Sequence, residues 1–353
     1  MAGKFIARIT IVVFHLFLTT SIFSQEKMLF AIDVIRHGDR MPLNQFPTPK
    51  NWKLPLGRGQ LTGLGMRQAY ELGKKKRTLY ILQNHLLPAH FEDGTLYARS
   101  SAYERTIMSA QAFLLGLYPL GSGPQLPNHQ PALPAGFQPI PVFTVSSLQD
   151  NLIVQVPHLK QYRNLVRRYE DQSKEWVQKR AELQNKIPVW SKLSGIKITS
   201  LNALIPLGNT LFIYKLKNYP IPAGLSNAES NRIINLGNWV FATTFENKLI
   251  SRLAGYQLLK NINQYLQTTH QSNKKLKYVL FSAHDYTILA LMRLMQAPLK
   301  VVPGYASDLN FILYKNNSGY VVKIKYNDKP VFIKACGGNS CTLKQFSQIV
   351  LNA

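Results

Sequence analysis

The sequence predicts an α/β core interrupted by a mainly helical insertion, and three observations carry that prediction. Short apolar runs rich in β-branched residues lie toward both ends of the chain, at Leu29 to Ile35, Thr95 to Ala98, Lys277 to Ser282, Leu309 to Tyr314 and Tyr320 to Tyr326. Segments with helical spacing alternate with them, as in a sheet flanked by helices. The middle of the chain instead holds a proline-rich crossing followed by helical segments to about Leu225.

Each element has a local reason. Leu29 to Ile35 is a buried-strand pattern, and a Pro- and Gly-rich loop follows from Arg36 to Gln60. Thr62 is placed to N-cap the next helix, which carries Leu64, Gln68 and Tyr70 to Leu72 at helical spacing. Its end, Lys74-Lys75-Lys76-Arg77, reads as a solvated terminus where cations suit the helix dipole. Arg105 to Leu117 sets Ile107, Ala110, Leu114 and Leu117 on one stripe. Seven prolines between Pro119 and Pro141 exclude helix and central strand there, so the stretch reads as a crossing between lobes. Tyr162, Leu165, Val166, Tyr169, Trp176 and Val177 outline an amphipathic helix, and a long helix is expected from Glu229 to His270. A further helix follows from Thr287 to Met295. Asn316-Asn317-Ser318-Gly319 then signals a hairpin between the last two strands.

The first residues carry a different signature. Lys4 and Arg8 precede an apolar run from Ile9 to Thr20, broken by His15, and the small Ser21 and Ser24 follow. That is the layout of a secretory signal peptide, too short to span a bilayer. The expected organisation is therefore a leader over 1–24, a core built from 25–120 and 230–353, and a helical insertion over 121–229. Secretion or a periplasmic location is implied, with no stable membrane insertion. Cys336 and Cys341 are the two cysteines of the chain, too few for a structural zinc site. In an exported protein their CGGNSC spacing reads as a disulfide closing a small loop, worth about 2 kcal/mol.

Net charge bounds the partners. The 353-residue chain carries +25, a surplus that favours anionic partners. The basic residues are spread along the chain, so nucleic acid is not required as a partner.

The chemistry concentrates at three strand ends. Arg36-His37-Gly38-Asp39-Arg40-Met41-Pro42 follows the first strand, where ligands bind in open α/β sheets. Guanidinium forks match phosphate oxygens, and Gly38 allows a close backbone approach. His37 then serves as a further phosphate donor or as a nucleophile toward phosphorus. Arg99 and Arg105 flank a strand-to-helix junction, where helix N-terminal amides also welcome anions. His284 and Asp285 sit at another such junction, fitted to bind a phosphoryl oxygen and to protonate a leaving group. No clustered carboxylates offer a site for magnesium or zinc, and no cofactor is expected.

These segments together resemble the histidine acid phosphatases, in the branch that includes the prostatic and lysosomal enzymes. Arg36 to Pro42 fits the family's RHGxRxP motif. Gln60-Leu61-Thr62, Leu64-Gly65-Met66 and Tyr70-Glu71-Leu72-Gly73 resemble its QLTxLGM…YELG helix. Arg99-Ser100 with Glu104 to Ala110 resembles its RSTxxxRTLMSA segment, Pro139 to Val142 its IPVHTV stretch, and Ser282 to Asp285 its SAHD. The likeness spans about residue 28 to 350.

It implies a phosphoglycerate-mutase-like core and hydrolysis of small phosphate monoesters through phosphohistidine on His37. It further implies Asp285 as proton donor, with Arg36, Arg40, Arg99 and His284 as the phosphate pocket and Arg105 in a supporting position. A phytase acting on inositol phosphates is the nearest alternative; a non-catalytic basic polyanion-binding protein is the alternative from another class. The oligomeric state is left open, a homodimer among the options. Two residues depart from the family pattern. Tyr286 stands where a small Thr is usual, and Asp33 occupies an apolar strand position, either satisfied by a loop amide or partnering the arginines.

Overall fold

A computed structural model describes residues 26–47, 53–154, 159–269 and 275–353. The expected leader over 1–24 lies outside the described residues. Strand β1 (Lys27–Arg36) runs through the centre of one mixed sheet and is buried on both faces from Phe30 onward. It pairs in parallel with β4 (Tyr278–Ala283), which pairs in parallel with β2 (Leu96–Ser101), which pairs in parallel with β3 (Val142–Val145). On its other side β1 meets β5 (Asp308–Asn316) antiparallel, and β5 forms the expected hairpin with β6 (Gly319–Tyr326). The short β7 (Lys329–Pro330) and β8 (Ser340–Thr342) both pair with β6.

Alternation along β1 divides the core into two layers. Ala31 and Ile35 face α1 (Gly63–Arg77) and α2 (Glu104–Leu117), while Phe30, Ile32 and Val34 face the layer that contains α8 (Lys248–Thr269), α9 (Asp285–Leu294) and α10 (Leu343–Leu351). Helices α1 and α2 approach closely because both present glycine at the crossing. A Cβ on Gly73 would lie 2.0 Å from the Phe113 carbonyl oxygen. Thr62 caps α1 as expected, its hydroxyl accepting from Gly65 N at 3.1 Å. The disulfide Cys336–Cys341 closes the loop before α10.

A separate apolar cluster belongs to the helical layer. It is built from α4 (Lys174–Leu183), α5 (Ile187–Ser194), α6 (Leu204–Leu216) and α7 (Asn227–Thr244), with Trp176, Trp190, Leu207, Leu211, Ile233 and Val240 buried. The preceding α3 (Lys160–Gln172) packs Val166 beside Phe245 and Ile250.

The borders of this layer differ from the expectation of 121–229. Residues 142–145 return to the sheet edge as β3, so the proline-rich stretch connects α2 to the sheet and is not a crossing between lobes. At the other border α7 carries the helical cluster through Val240. The single helix expected from Glu229 is two, because Asn247 accepts from the amides of Leu249 and Ile250 and starts α8 afresh; His270 lies outside the described residues.

The basic end of α1 is also different. Lys76 is buried, with Nζ 2.5 Å from Asp308 and 3.1 Å from Asp33. Asp33 further accepts from the hydroxyls of Tyr80 and Tyr278 and from the Asn310 amide, at 2.7–2.9 Å. It thus neither meets a loop amide nor faces the arginine cluster.

Candidate active site

Because β1, β2 and β4 are parallel, their carboxyl ends open on one edge of the sheet, and each is followed by a functional segment. Arg36 ends β1 and His37 follows; Tyr103 and Arg105 follow β2 at the start of α2; His284 and Asp285 link β4 directly to α9. The loop before β5 brings Tyr305 to the same edge, its ring centroid 6.0 Å from that of His37. Two helix N-termini therefore accompany the basic side chains, an arrangement suited to an anion.

His37 is buried, and its Nδ1 lies 2.9 Å from the Gly38 carbonyl oxygen. A carbonyl only accepts, so Nδ1 carries the proton and Nε2 carries the free lone pair. Burial first, then Arg36, Arg40, His284 and Arg105, hold this imidazole well below its ordinary pKa and keep it neutral. The glycine that follows is required by packing. A Cβ on Gly38 would fall 2.1 Å from the Gly65 carbonyl oxygen at the start of α1.

Three guanidinium groups surround the imidazole. Arg36 binds Asp285 Oδ2 at 2.8 Å, donates to the Pro303 carbonyl and lies 4.4 Å over the Tyr305 ring. Arg40 donates to the Met41 carbonyl at 2.9 Å and to Asn209 Oδ1 of α6 at 3.0 Å. Arg105 sits 4.5 Å over the Tyr103 ring; burial, then the charge of Arg40, lowers its pKa to about 10. In each of the three, Nε is buried without a partner among the described residues, and so is the Tyr305 hydroxyl. Gathered at one edge beside His37, these donors are available to an anion, whereas Arg99 Nε, likewise unpartnered, lies on the side chain that pairs with Asp150.

His284 is buried with Nε2 3.0 Å from Ser101 Oγ. Its ring stacks on Tyr286 at 5.3 Å and 11°, and Tyr103 meets it edge-on at 5.4 Å. Tyr286 is anchored by its hydroxyl to the Ile153 carbonyl and backed by Phe245, so the departure from threonine builds a wall behind the imidazole. Burial, then Arg105, lowers His284 to about 3. Burial alone would raise the Asp285 carboxyl, but Arg36, His284, Arg40 and the Tyr286 amide outweigh it and hold the group below its ordinary value.

The structure thus brings together His37, Arg36, Arg40, His284 and Asp285. It does not bring Arg99 with them. Arg99 pairs through NH2 with the buried Asp150 at 2.7 Å, and Asp150 also accepts from the amides of Leu152 and Ile153. Arg99 does not figure among the charges acting most strongly on His37, His284 or Asp285. Arg105 takes the place expected for Arg99, because a residue in the first turn of α2 overhangs the sheet edge while one inside β2 is held along the strand. Sequence reasoning also missed Asn209, Lys217 and Tyr305. Lys217 lies 2.5 Å from the buried Asp39, tying the end of α6 to the loop that carries His37. No feature of the sequence marks these distant partners.

The fold and the site define an α/β enzyme with a basic, partly desolvated anion pocket at the strand ends. The sequence model of the Histidine phosphatase superfamily (branch 2) matches residues 27–189. Bovine prostatic acid phosphatase is 30% identical over 342 residues, which cover 92% of this chain and 85% of that one. Lysosomal acid phosphatase of Xenopus laevis is 29% identical over 370 residues, covering 99% and 82%. In fold, the chain is similar to the phytase of Citrobacter braakii, with a TM-score of 0.65 at 17% identity over 92% of this chain and 98% of that one. The chain belongs to branch 2 of the histidine phosphatase superfamily, and it is a phosphatase. No helix among the described residues is long and apolar enough to cross a membrane.

Proposed function

We propose that the chain hydrolyses small phosphate monoesters in two steps through a phosphohistidine at His37 Nε2. The observation that carries this reading is the fixed tautomer of a buried neutral His37 ringed by three guanidiniums, each with an unpartnered Nε. In the first step the Nε2 lone pair attacks phosphorus and the ester P–O bond breaks. The departing alcohol oxygen takes a proton from Asp285. Arg36, Arg40 and Arg105 hold the phosphoryl oxygens, and His284 contributes through its ring nitrogen. In the second step water attacks phosphorus, yields its proton to the Asp285 carboxylate, and the P–N bond breaks to release phosphate.

Asp285 is ionised against Arg36 in the free enzyme. A monoanionic ester brings the missing proton, because its phosphoryl oxygens compete for Arg36 while its own O–H lies beside the carboxylate.

Rapid quenching with radiolabelled p-nitrophenyl phosphate tests the intermediate. The label is expected on His37, and His37→Ala should lose it together with about 10³-fold or more of the turnover. Near-normal turnover in that variant would end the assignment.

The relatives named acid phosphatase and the Cys336–Cys341 disulfide support export to an oxidising compartment after removal of a leader over 1–24. The mass of the mature protein checks this, and retention of the first residues in exported protein would refute it.

A further inference from the structure

A cavity of about 450 Å³ opens beside Arg36, between α6 and α7 on one side and residues 300–305 on the other. Its volume falls in the range of small-ligand sites, about 300–1,000 Å³. It shares residues with the site. Arg36 and Tyr305 line it, and so does Asn209, whose carbonyl oxygen holds Arg40. The leaving oxygen must lie against Asp285, and Asp285 is bound to Arg36, so the cavity begins one guanidinium away from the alcohol that departs.

The far wall is chemically distinct from the phosphate pocket. Asn235, Asn238 and Trp239 share one face of α7, at the i, i+3, i+4 positions, and Phe212 stands across from them on α6. Each carboxamide both donates and accepts, and the two rings offer apolar faces between them. The lining holds no carboxylate. It has two cations, and both are engaged: Arg36 with Asp285, and Lys300 with Glu246 at 2.8 Å. A second phosphate entering here would have to compete with Asp285 for Arg36 and with Glu246 for Lys300 to offset its desolvation. A hydroxyl-rich neutral group would find donors and acceptors along one wall and apolar surface for its C–H faces.

We propose that this cavity seats the alcohol half of the substrate and selects monoesters of neutral polyhydroxylated alcohols, such as sugar phosphates, over polyphosphorylated ones. The proposal rests on the phosphatase reading of the same site.

Its test is a comparison of kcat/KM for glucose 6-phosphate, p-nitrophenyl phosphate and inositol hexakisphosphate. The wild type is expected to favour glucose 6-phosphate over inositol hexakisphosphate. Asn235 and Asn238 are exposed, so their replacement leaves the fold intact, which an unchanged melting temperature checks. The double variant Asn235→Ala/Asn238→Ala should lower the ratio of glucose 6-phosphate to p-nitrophenyl phosphate about tenfold, through KM. Asn235→Lys/Asn238→Lys should shift preference toward inositol hexakisphosphate. An unmoved ratio, or a wild type that favours the hexakisphosphate, overturns the proposal. If His37 is labelled by p-nitrophenyl phosphate in the same preparation, that failure is confined to the subsite. If His37 takes no label, the phosphatase reading falls and the subsite with it.

Discussion

At the scale of single residues, Arg99 and Arg105 lie six positions apart and have opposite surroundings. The motif spacing marks both, but only the fold decides which one reaches His37. Arg99 pairs with the buried Asp150 and orders the turn at residues 150–153; Arg105 lies over Tyr103 and is among the charges that act on His37 and His284. Arg105→Ala should therefore lower kcat/KM about 10²-fold or more, as loss of an electrostatic donor to the transition state does. Arg99→Ala should act mainly on stability, by leaving Asp150 buried without its cation. Paired kinetic and thermal measurements on the two variants check this, and a larger kinetic loss for Arg99→Ala would reverse the assignment. His37, Arg36, Arg40, His284 and Asp285 were legible in sequence because each stands at the end of a strand or within four residues after it. Asn209, Lys217 and Tyr305 were not, since they reach the site from elements far away in the chain and carry no local pattern.

At the scale of elements, strands and caps with strong local chemistry were readable. Thr62 and the Asn316 to Gly319 turn stand where their side chains and backbone freedom place them. The break at Asn247 was hidden because apolar spacing continues on both sides of it. Strand β3 was hidden because it is short and follows prolines. The basic end of α1 was misread for a different reason: the cation looks solvated until β1 and β5 place two carboxylates beneath it. Burial would lower Lys76, but Asp308 and Asp33 outweigh it and raise it, while burial and then the Asp33 charge push Asp308 well up. A raised carboxyl pKa means stability that is present at low pH and lost as pH rises through the folded value. Lys76 offsets that loss in the native protein. Lys76→Met should cost about 3–5 kcal/mol. The loss should be larger at pH 8 than at pH 4, where Asp308 keeps its proton. Adding Asp33→Leu should restore part of it, by removing one of the two facing carboxylates. Urea unfolding at both pH values measures these differences, and equal losses would show that the network acts through packing alone.

At the scale of the whole molecule, burial and the clustered arginines together set the ionisations that the mechanism uses. His37 is held well below its ordinary value, His284 is at about 3, and Asp285 is held down as well. The nucleophile must be neutral, so activity falls on the acid side only as pH drops through the lowered His37 value. The acid limb of kcat/KM is therefore expected well below 6.5. The alkaline side has a different origin. Asp285 is already ionised in the free enzyme across the working range, so its own titration does not set that limb. The proton used on the leaving group arrives with the substrate, and kcat/KM should decline as the ester loses its second proton, near pH ~6 for an alkyl phosphate. Esters whose second ionisation lies lower should shift the alkaline limb down by the same amount. A series of alkyl and aryl phosphates, profiled from pH 3 to 9, separates the two sources of the proton. A limb that tracks the ester assigns the proton to the substrate, whereas a limb fixed across the series assigns it to a group on the enzyme and refutes this account of Asp285.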